Sequence, residues 1–206
     1  MKQNLENNII EAYNKKAKER DSIIVQDWKV KERDTFLTYL KSINAQNILE
    51  IGAGPGKDSL YFKEQGLSPV STDISPEMVE LCKKKGLDAK VMDFKHLTFP
   101  DHHFDAVWAM NCLLHVPKNE IGLVLTEIKR VLKPTGLFYM GVYGGEDFEG
   151  IWEDDFYTPK RFFSFYEDEA IKDLVSKYFT IKSFNIVPKE IVKGNYHFQS
   201  IILQND

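Results

Sequence analysis

One short segment, Glu50-Ile51-Gly52-Ala53-Gly54-Pro55-Gly56, constrains the fold of this chain more than any other. Its first two residues end an apolar stretch at 47–51 that is typical of a buried β-strand. Residues 58–65, which follow the segment, have a pattern that predicts a helix. Glycines in this position let the backbone turn sharply and approach a ligand closely. The free N–H groups at the start of the helix would face that ligand. The segment therefore predicts a binding loop between a strand and a helix.

Strand and helix signals alternate over residues 47–142. The apolar patterns predict strands at 47–51, 67–72, 89–92, 104–110 and 137–142, and helices at 58–65, 75–85 and 118–132. Ser75 is a good N-cap for the helix it begins, with Pro76 at the first helical position and Gly86 at the end. Such alternation predicts right-handed crossovers and a doubly wound, mostly parallel α/β sheet.

The two ends of the chain differ from this core. Helices are predicted at 5–20 and 31–43, before the first strand. After residue 142 comes an acidic, aromatic stretch at 144–165, then a helix at 167–177 and strands at 178–186 and 196–203. The turn between these strands is too short for a crossover helix, so the strands should pair antiparallel. The absence of repeats and of Pro/Ser-rich linkers predicts a single domain.

Composition narrows the class of partner. With 27 Lys and Arg against 31 Asp and Glu, the net charge of −4 disfavours a broad phosphate-binding face and so a nucleic-acid partner. No apolar run reaches the roughly 20 residues that cross a bilayer, and no signal-peptide pattern is present. The 2 cysteines have no pairing or metal-ligand spacing. We therefore expect a cytoplasmic protein with no membrane partner, no metal and a small-molecule substrate, and either a monomer or a homodimer.

Two common glycine motifs do not fit the loop. The nicotinamide fingerprint G-x-G-x-x-G would place its third glycine at Lys57. A phosphate-binding P-loop requires Ser or Thr after Gly-Lys, whereas Asp58 follows Gly56-Lys57. A nicotinamide-dependent oxidoreductase is therefore the weakest alternative.

The loop does match E/D-x-G-x-G-x-G in full, and in this it resembles the first motif of the class I S-adenosylmethionine-dependent methyltransferases. The resemblance extends over roughly residues 30–204. It implies a Rossmann-like fold with a seven-stranded sheet whose last strand is antiparallel, and N-terminal helices that form a lid. It also implies S-adenosylmethionine as cofactor, Asp73 on the ribose hydroxyls, Asp93 near the adenine amine, and Ile74 and Phe94 on the adenine faces. The expected cofactor-binding residues are Glu50, Gly52, Ala53, Gly54, Gly56, Asp58, Asp73, Ile74, Asp93, Phe94 and Asn111.

The same resemblance suggests residues on the acceptor side. His115 follows the fourth predicted strand and could act as a base, although a structural role is the alternative. Tyr13, with Trp28 as a second candidate, would reach the cofactor carboxylate or the acceptor, and Arg161 could pair with an acidic group of the substrate. The predicted catalytic residues are therefore His115, Tyr13 and Arg161. Cys112 is a poor candidate because methyl transfer needs no nucleophilic side chain.

Two further features of the sequence bear on the chemistry. The Asn/Asp-Pro-Pro-Tyr motif of enzymes that methylate base amines or glutamine is absent, because Asn111 is followed by Cys112-Leu113-Leu114. The sequence Pro100-Asp101-His102-His103-Phe104-Asp105 is typical of a turn before the fourth strand and not of a metal cluster, since adjacent histidines on a turn cannot easily face one ion.

These residues predict a methyltransferase that acts on an oxygen, nitrogen or sulfur atom of a small molecule. A tRNA or protein methyltransferase is the alternative, since Pro159-Lys160-Arg161-Phe162-Phe163 resembles an element of some modified-nucleoside methyltransferases. An alternative of another class is a regulatory subunit that binds the cofactor without catalysis. We expect a helical cap at 1–45, a cofactor-binding core at 46–142, a substrate lid at 143–166, and a C-terminal helix with an antiparallel strand pair at 167–206.

Overall fold

A computed structural model describes residues 2–206 and shows a seven-stranded sheet. Its strands are β1 (Asn47–Ile51), β2 (Ser68–Asp73), β3 (Asp88–Val91), β4 (Phe104–Met110), β5 (Leu132–Gly144), β8 (Thr180–Val187) and β9 (His197–Gln204). Their order is β3-β2-β1-β4-β5-β9-β8. Strands β1 to β5 pair parallel, and β9 pairs antiparallel with both of its neighbours. The predicted doubly wound α/β sheet with an antiparallel last strand is therefore confirmed.

Helices cover both faces of the sheet. They are α1 (Lys2–Ser22), α2 (Asp27–Ser42), α3 (Lys57–Glu64), α4 (Pro76–Lys84), α5 (Ile121–Val131), α6 (Asp168–Val175) and the short α7 (Lys189–Val192). At the start of α4 the Ser75 hydroxyl accepts a hydrogen bond from the Met78 N–H, so the predicted N-cap is confirmed. None of the helices within residues 2–206 has the length and apolar character required to cross a bilayer.

Apolar burial fixes how the central strand and its helices pack. β4 reads Phe-Asp-Ala-Val-Trp-Ala-Met, and its Val107, Trp108 and Ala109 are fully buried, as expected for a strand covered on both faces. Helix α5 buries Ile121, Val124, Leu125, Ile128 and Val131 on one side of the sheet. Helix α2 places Phe36, Leu37 and Leu40 on the other side, where Phe36 meets Trp108 with ring centroids 5.4 Å apart.

The lid segment differs in detail from the sequence prediction. The sequence analysis assigned no strand within the acidic, aromatic stretch at 144–165, and two short strands form there, β6 (Phe148–Ile151) and β7 (Phe162–Phe165), which pair antiparallel as a separate two-stranded sheet. Their four-residue length and the ten residues between them give too weak a pattern for detection from sequence. Strand β5 also begins at Leu132 rather than at residue 137.

Candidate active site

The glycine loop lies at the carboxyl end of β1. Strands β2 and β3 follow on one side of β1, and β4 and β5 lie on the other side, so the direction of the strand order reverses at this point. Gly52, Gly54 and Gly56 have φ angles of 63°, 54° and 78°, the left-handed region that glycine adopts without steric cost. A Cβ atom on Gly52 would lie 2.3 Å from the Cβ of Cys112, whereas a Cβ on Gly54 would meet nothing within 4 Å. Gly52 is thus required by the packing of β1 against the segment after β4, and Gly54 faces open space.

A cavity of about 410 Å³ opens beside this loop, between α1 and the carboxyl ends of the parallel strands. Its position agrees with the rule that open α/β sheets bind ligands where the strand order reverses. Its volume lies within the range of small-molecule sites. Its walls consist of residues from α1, from the strand ends and from the 3₁₀ turn that contains His115: Leu5, Glu6, Asn7, Ile9, Tyr13, Arg20, Gly52, Gly54, Asp73, Ile74, Asp93, Phe94, Lys95, Met110, Asn111, Cys112, His115, Val116, Pro117, Glu120 and Phe162.

The carboxylate of Asp73 is hydrogen-bonded directly to the glycine loop. Its Oδ2 accepts a hydrogen bond from the Gly54 N–H at 2.8 Å, and its Oδ1 accepts one from the Ser75 N–H, also at 2.8 Å. These two bonds fix the plane of the carboxylate at the end of β2, and each oxygen keeps a second lone pair for a ligand hydroxyl. Burial raises the pKa of Asp73 above its usual value, while the bonds from Ser75 and Gly54 oppose that change.

A cluster of ionic groups surrounds Lys95 near the end of β3. The Lys95 ammonium lies 3.3 Å from Glu6 on α1, 3.4 Å from Asp93 and 3.7 Å from Glu120. Asp93 also accepts a hydrogen bond from the Lys95 N–H at 2.9 Å. We call Glu6, Asp73, Asp93, Lys95 and Glu120 the acidic end of the cavity: three of its carboxylates lie within 4 Å of the Lys95 ammonium, and the fourth, Asp73, lines the same cavity.

A chain of hydrogen bonds runs from Tyr13 and His115 in the cavity wall to Arg161 and Asp155, which do not line the cavity. The Tyr13 hydroxyl lies 2.7 Å from Nε2 of His115, and Nη1 of Arg161 donates to the same hydroxyl at 3.0 Å. Arg161 is held in turn by Asp155, whose two oxygens accept from Nε at 2.9 Å and from Nη2 at 2.7 Å. We call Tyr13, Arg20, His115, Asp155 and Arg161 the arginine end. The three predicted catalytic residues, which are distant in the sequence, are therefore brought together.

The partners of His115 determine its protonation state. Nδ1 lies 2.8 Å from the carbonyl oxygen of Phe162, which can only accept, so Nδ1 carries the proton. Nε2 is then the acceptor, and the Tyr13 hydroxyl donates to it. Burial lowers the pKa of His115 to about 3, assisted by the charges of Arg161 and Arg20. The imidazole is therefore neutral, with both nitrogens in hydrogen bonds.

Arg20 was missed by the sequence prediction. Its guanidinium lies 5.3 Å from the centroid of the Tyr13 ring, and its Nη1 donates to the Tyr157 hydroxyl at 3.0 Å. Its Nε is buried and has no hydrogen-bond partner among the described residues. The available signal was its spacing, since Tyr13 and Arg20 are seven residues apart and so lie on one face of α1.

Several predicted cofactor-binding residues lie outside the cavity wall. Glu50 is buried and bonded to the Ser59 hydroxyl, with its pKa raised by burial and by Asp58. Asp58 accepts hydrogen bonds from Nη1 of Arg33 and Nε1 of Trp108, both at 3.0 Å. Ala53 and Gly56 belong to the loop but do not line the cavity. None of these four residues lines the cavity, whereas seven predicted residues do: Gly52, Gly54, Asp73, Ile74, Asp93, Phe94 and Asn111.

The aromatic residues of the lid divide into two groups. Trp152, Phe163, Phe165 and Tyr196 pack on one another with centroid distances of 4.6–6.0 Å and anchor the β6–β7 hairpin. Tyr157 stacks under Arg161 at 3.6 Å, and Phe156 beside it is 74% exposed. Trp28, the second candidate on α2, does not line the cavity but packs on Phe198 at 4.7 Å.

The sheet order and the ligand cavity at the strand ends define the class of the protein: a doubly wound α/β protein whose ligand site adjoins a glycine loop. Comparison with known proteins supplies the family. A family model described as "Methyltransferase domain" matches residues 49–140. An uncharacterised protein of Methanocaldococcus jannaschii is 32% identical over 152 residues, which cover 70% of this chain and 70% of that protein. The chain belongs to the class I S-adenosylmethionine-dependent methyltransferases.

Two further similarities concern proteins with a stated substrate or pathway. The ubiquinone/menaquinone biosynthesis C-methyltransferase of Rickettsia bellii is 28% identical over 180 residues, which cover 79% of this chain. This chain spans 61% of the length of that relative. The structure of the 1,6-didemethyltoxoflavin-N1-methyltransferase of Burkholderia thailandensis, with bound 1,6-didemethyltoxoflavin and S-adenosylhomocysteine, superposes with a TM-score of 0.69 at 22% identity. The superposition covers 84% of this chain and 77% of that chain, and it supports the same fold.

Proposed function

We propose that this chain transfers the methyl group of S-adenosylmethionine to an oxygen, nitrogen or sulfur atom of a small molecule. The observation that carries the proposal is the position of Asp73. Its carboxylate is fixed by the Gly54 N–H in the wall of the same cavity that ends at Tyr13 and His115. One cavity thus offers acceptors for ribose hydroxyls at one end and polar groups for a second ligand at the other.

The residues of the cavity fit the cofactor in three respects. Gly54 leaves open space where a side chain would otherwise project, so a ligand can approach the backbone closely. The Oδ1 atom of Asn111 is buried in the cavity wall and has no hydrogen-bond partner within the described chain, so it is ready to accept from a ligand amine. The carboxylates of Asp73 and Asp93 accept hydrogen bonds, as ribose hydroxyls and the adenine amine require.

The side chains around the cavity would serve mainly to position the reactants. The cofactor supplies an activated methyl group on a sulfonium, so catalysis requires alignment of the acceptor and exclusion of water. We propose that Gly52, Gly54, Asp73, Ile74, Asp93, Phe94 and Asn111 hold the cofactor. We also propose that α1 covers it and that the lid at 143–166 closes the acceptor side, through Phe162 in the cavity wall and Tyr157 beside Arg20.

A small acceptor is favoured by the size and charge of this region. The cavity of about 410 Å³ must hold both ligands when α1 is in place. Arg161, which lies in the segment that resembles an element of nucleoside methyltransferases, is 8% exposed and faces Asp155 and Tyr13 instead of the protein surface. This geometry supports a small molecule over a tRNA as the acceptor.

Isothermal titration with S-adenosylmethionine and S-adenosylhomocysteine tests the proposal. We expect micromolar binding by the wild type and a loss of at least tenfold in Asp73→Asn, which replaces a charged acceptor. Asp88→Asn is the matched control, because Asp88 is exposed at the start of β3 and does not line the cavity. The absence of binding to the wild type at high micromolar ligand would disprove the proposal.

A further inference from the structure

The residue that follows the glycine loop, Lys57, contacts the end of α1. It stands where the nicotinamide fingerprint would require a third glycine. Its Nζ donates hydrogen bonds to the carbonyl oxygen of Arg20, at 2.9 Å, and to that of Ile23. The last four carbonyls of an α-helix have no partner within the helix, and α1 ends at Ser22. Lys57 thus supplies donors to the C-terminal end of α1, which a glycine side chain could not do.

A second lysine, Lys85, joins the same helix to the glycine loop itself. Lys85 follows the last residue of α4, and its Nζ donates to Oδ1 of Asp21 at 2.6 Å and to the carbonyl oxygen of Pro55 at 2.7 Å. Asp21 lies in the last turn of α1, and Pro55 lies between two glycines of the loop. One ammonium group therefore bridges the helix and the loop directly.

The charges around Lys57 are mixed. Burial lowers the pKa of Lys57, and the charges of Lys85 and Arg20 act in the same direction, while those of Asp21 and Asp58 oppose them. The carbonyl oxygens at the end of α1 add to the attraction of the two acids, because the C-terminal end of a helix carries a partial negative charge. Contact of Lys57 with α1 is therefore favoured by charge as well as by hydrogen-bond geometry.

Neither lysine lines the cavity, but the helix that they hold does. Arg20, whose carbonyl oxygen accepts from Lys57, also contributes its side chain to the cavity wall. Tyr13, another residue of the wall, lies about two turns earlier on the same helix. Any effect of Lys57 or Lys85 on a bound ligand must therefore pass through α1 or through the glycine loop.

Asn14, next to Tyr13 in the chain, provides a third contact between α1 and the site. The Ser75 hydroxyl donates to Oδ1 of Asn14 at 2.6 Å, and the Ser75 N–H donates to the Asp73 carboxylate at 2.8 Å. The Asp73 carboxylate also accepts from the Gly54 N–H of the loop. The glycine loop, Asp73 and α1 therefore belong to one hydrogen-bonded frame around the cavity.

We propose that Lys57 and Lys85 are positioning residues for cofactor binding. They dock the C-terminal end of α1 on the glycine loop. In this way they set where the side chains of Tyr13 and Arg20 stand in the cavity wall. The inference rests on the proposed function, because the cavity concerned is the one that would hold S-adenosylmethionine. Both lysines act through α1 and the loop, and neither touches the ligand itself.

Isothermal titration with S-adenosylhomocysteine tests the inference. Lys57→Met removes both hydrogen bonds to α1, and we expect it to weaken binding about tenfold or more in a protein that remains folded by circular dichroism. Lys57→Arg keeps N–H donors at this position and should weaken binding less than about threefold. Lys63→Met is the matched control and should leave the affinity unchanged. Lys63 also lies on α3 and donates to a backbone carbonyl, that of Gly86 at 2.7 Å, but this carbonyl belongs to the turn before β3 and not to α1.

A double variant shows whether the effect of Lys57 passes through α1. In an Arg20→Gln background, Lys57→Met should weaken S-adenosylhomocysteine binding less than about threefold, because a cavity side chain that Lys57 positions is already absent. Lys85→Met gives an independent measurement, since it removes the bridge between Asp21 and Pro55 and leaves both bonds of Lys57 in place. It should weaken binding about threefold or more.

Three results would overturn the inference. One is an unchanged affinity in Lys57→Met, whether or not its free energy of unfolding falls, because the contact would then be purely structural. Another is an undiminished effect of Lys57→Met in the Arg20→Gln background. The third is an unchanged affinity in Lys85→Met, which decides the question if Lys57→Met does not fold. A wild type that does not bind S-adenosylhomocysteine would instead disprove the proposed function, whereas binding by the wild type with unaffected variants overturns this inference alone.

Discussion

The two ends of the cavity hold their charged groups in different ways. At the acidic end, the side chains of Lys95 and Glu6 are 26% and 42% exposed, and their charges lie 3.3 Å apart. At the arginine end, the side chains of Arg161 and Asp155 are 9% and 1% exposed, and two parallel hydrogen bonds join them. Exposed pairs are screened by water and salt, whereas a buried bidentate pair keeps a fixed geometry. The side chains of the acidic end can therefore change position when a ligand binds, whereas Arg161 and Asp155 at the arginine end are already held in one geometry.

The comparison predicts the largest effect for the buried pair. In Asp155→Asn the Arg161 charge stays buried without its counterion, so the free energy of unfolding should fall by about 3–5 kcal/mol. Urea unfolding measures this loss. Glu153→Gln is the control, since its pair with Lys160 is solvent-exposed and should contribute less than about 1 kcal/mol. The double variant Asp155→Asn/Arg161→Gln should lose less than the sum of the single variants, and strict additivity would contradict the coupling.

A second prediction concerns the glycine at the junction of β1 and the segment after β4. Gly52→Ala adds a Cβ that collides with Cys112 at a left-handed φ of 63°, so we expect a loss of about 2–4 kcal/mol in the free energy of unfolding. Gly66→Ala is the matched control, with a φ of 89° and nothing within 4 Å, and should lose only about 1–2 kcal/mol. Equal losses in the two variants would show that the contact with Cys112 does not matter.

A third prediction follows from the buried neutral state of His115. Its folded pKa of about 3 lies below the unfolded value of about 6.5, so the unfolded state binds more protons between these values. Stability from this group is complete above pH 6.5 and decreases as the pH falls. We expect a loss of about 2 kcal/mol between pH 7.5 and pH 5, measured by urea unfolding at each pH.

His115→Gln provides the control for this pH dependence. A glutamine amide can donate to the Phe162 carbonyl and accept from Tyr13, but it does not titrate. The decrease between pH 7.5 and pH 5 should therefore be about 2 kcal/mol smaller in this variant. An identical decrease in both proteins would assign the pH dependence to other groups and would contradict the neutral histidine.

The smallest effect is expected at the acidic end. Lys95→Met removes the ammonium that lies within 4 Å of Glu6, Asp93 and Glu120, and it should reduce the free energy of unfolding by about 1 kcal/mol in low salt. The difference from the wild type should shrink in 1 M NaCl, because the screening length falls to about 3 Å. Lys15→Met on the exposed face of α1 is the control, with an expected loss below about 0.5 kcal/mol. A loss that does not change with salt would place Lys95 among the buried pairs.

The residues that could be predicted from the sequence are those whose role depends on local geometry. The glycines at 52 and 54 and the acid at 73 follow the ends of strands, and a strand end in a parallel sheet has a fixed place relative to the ligand site. Arg20 and Asp155 follow no such pattern. Arg20 lies on a helix with charged residues on several faces, and Asp155 lies in an irregular part of the lid. The hydrogen-bond partner of Arg20, Tyr157, is 137 residues away, and Asp155 pairs with Arg161 across six residues that form no regular element, so strand-end geometry indicated neither residue.

The sequence by itself determined the alternation of strands and helices, the loop at Gly52–Gly56 and the family to which these belong, because each of these depends on residues that are neighbours in the chain. Only the tertiary structure decided which charges are neutralised. It placed Asp155 against Arg161, left Arg20 without an ion pair among the described residues, and occupied both nitrogens of His115. The physical reason is that burial and pairing set the pKa of a group, and both depend on contacts across more than a hundred residues of chain, as between Tyr13 and His115.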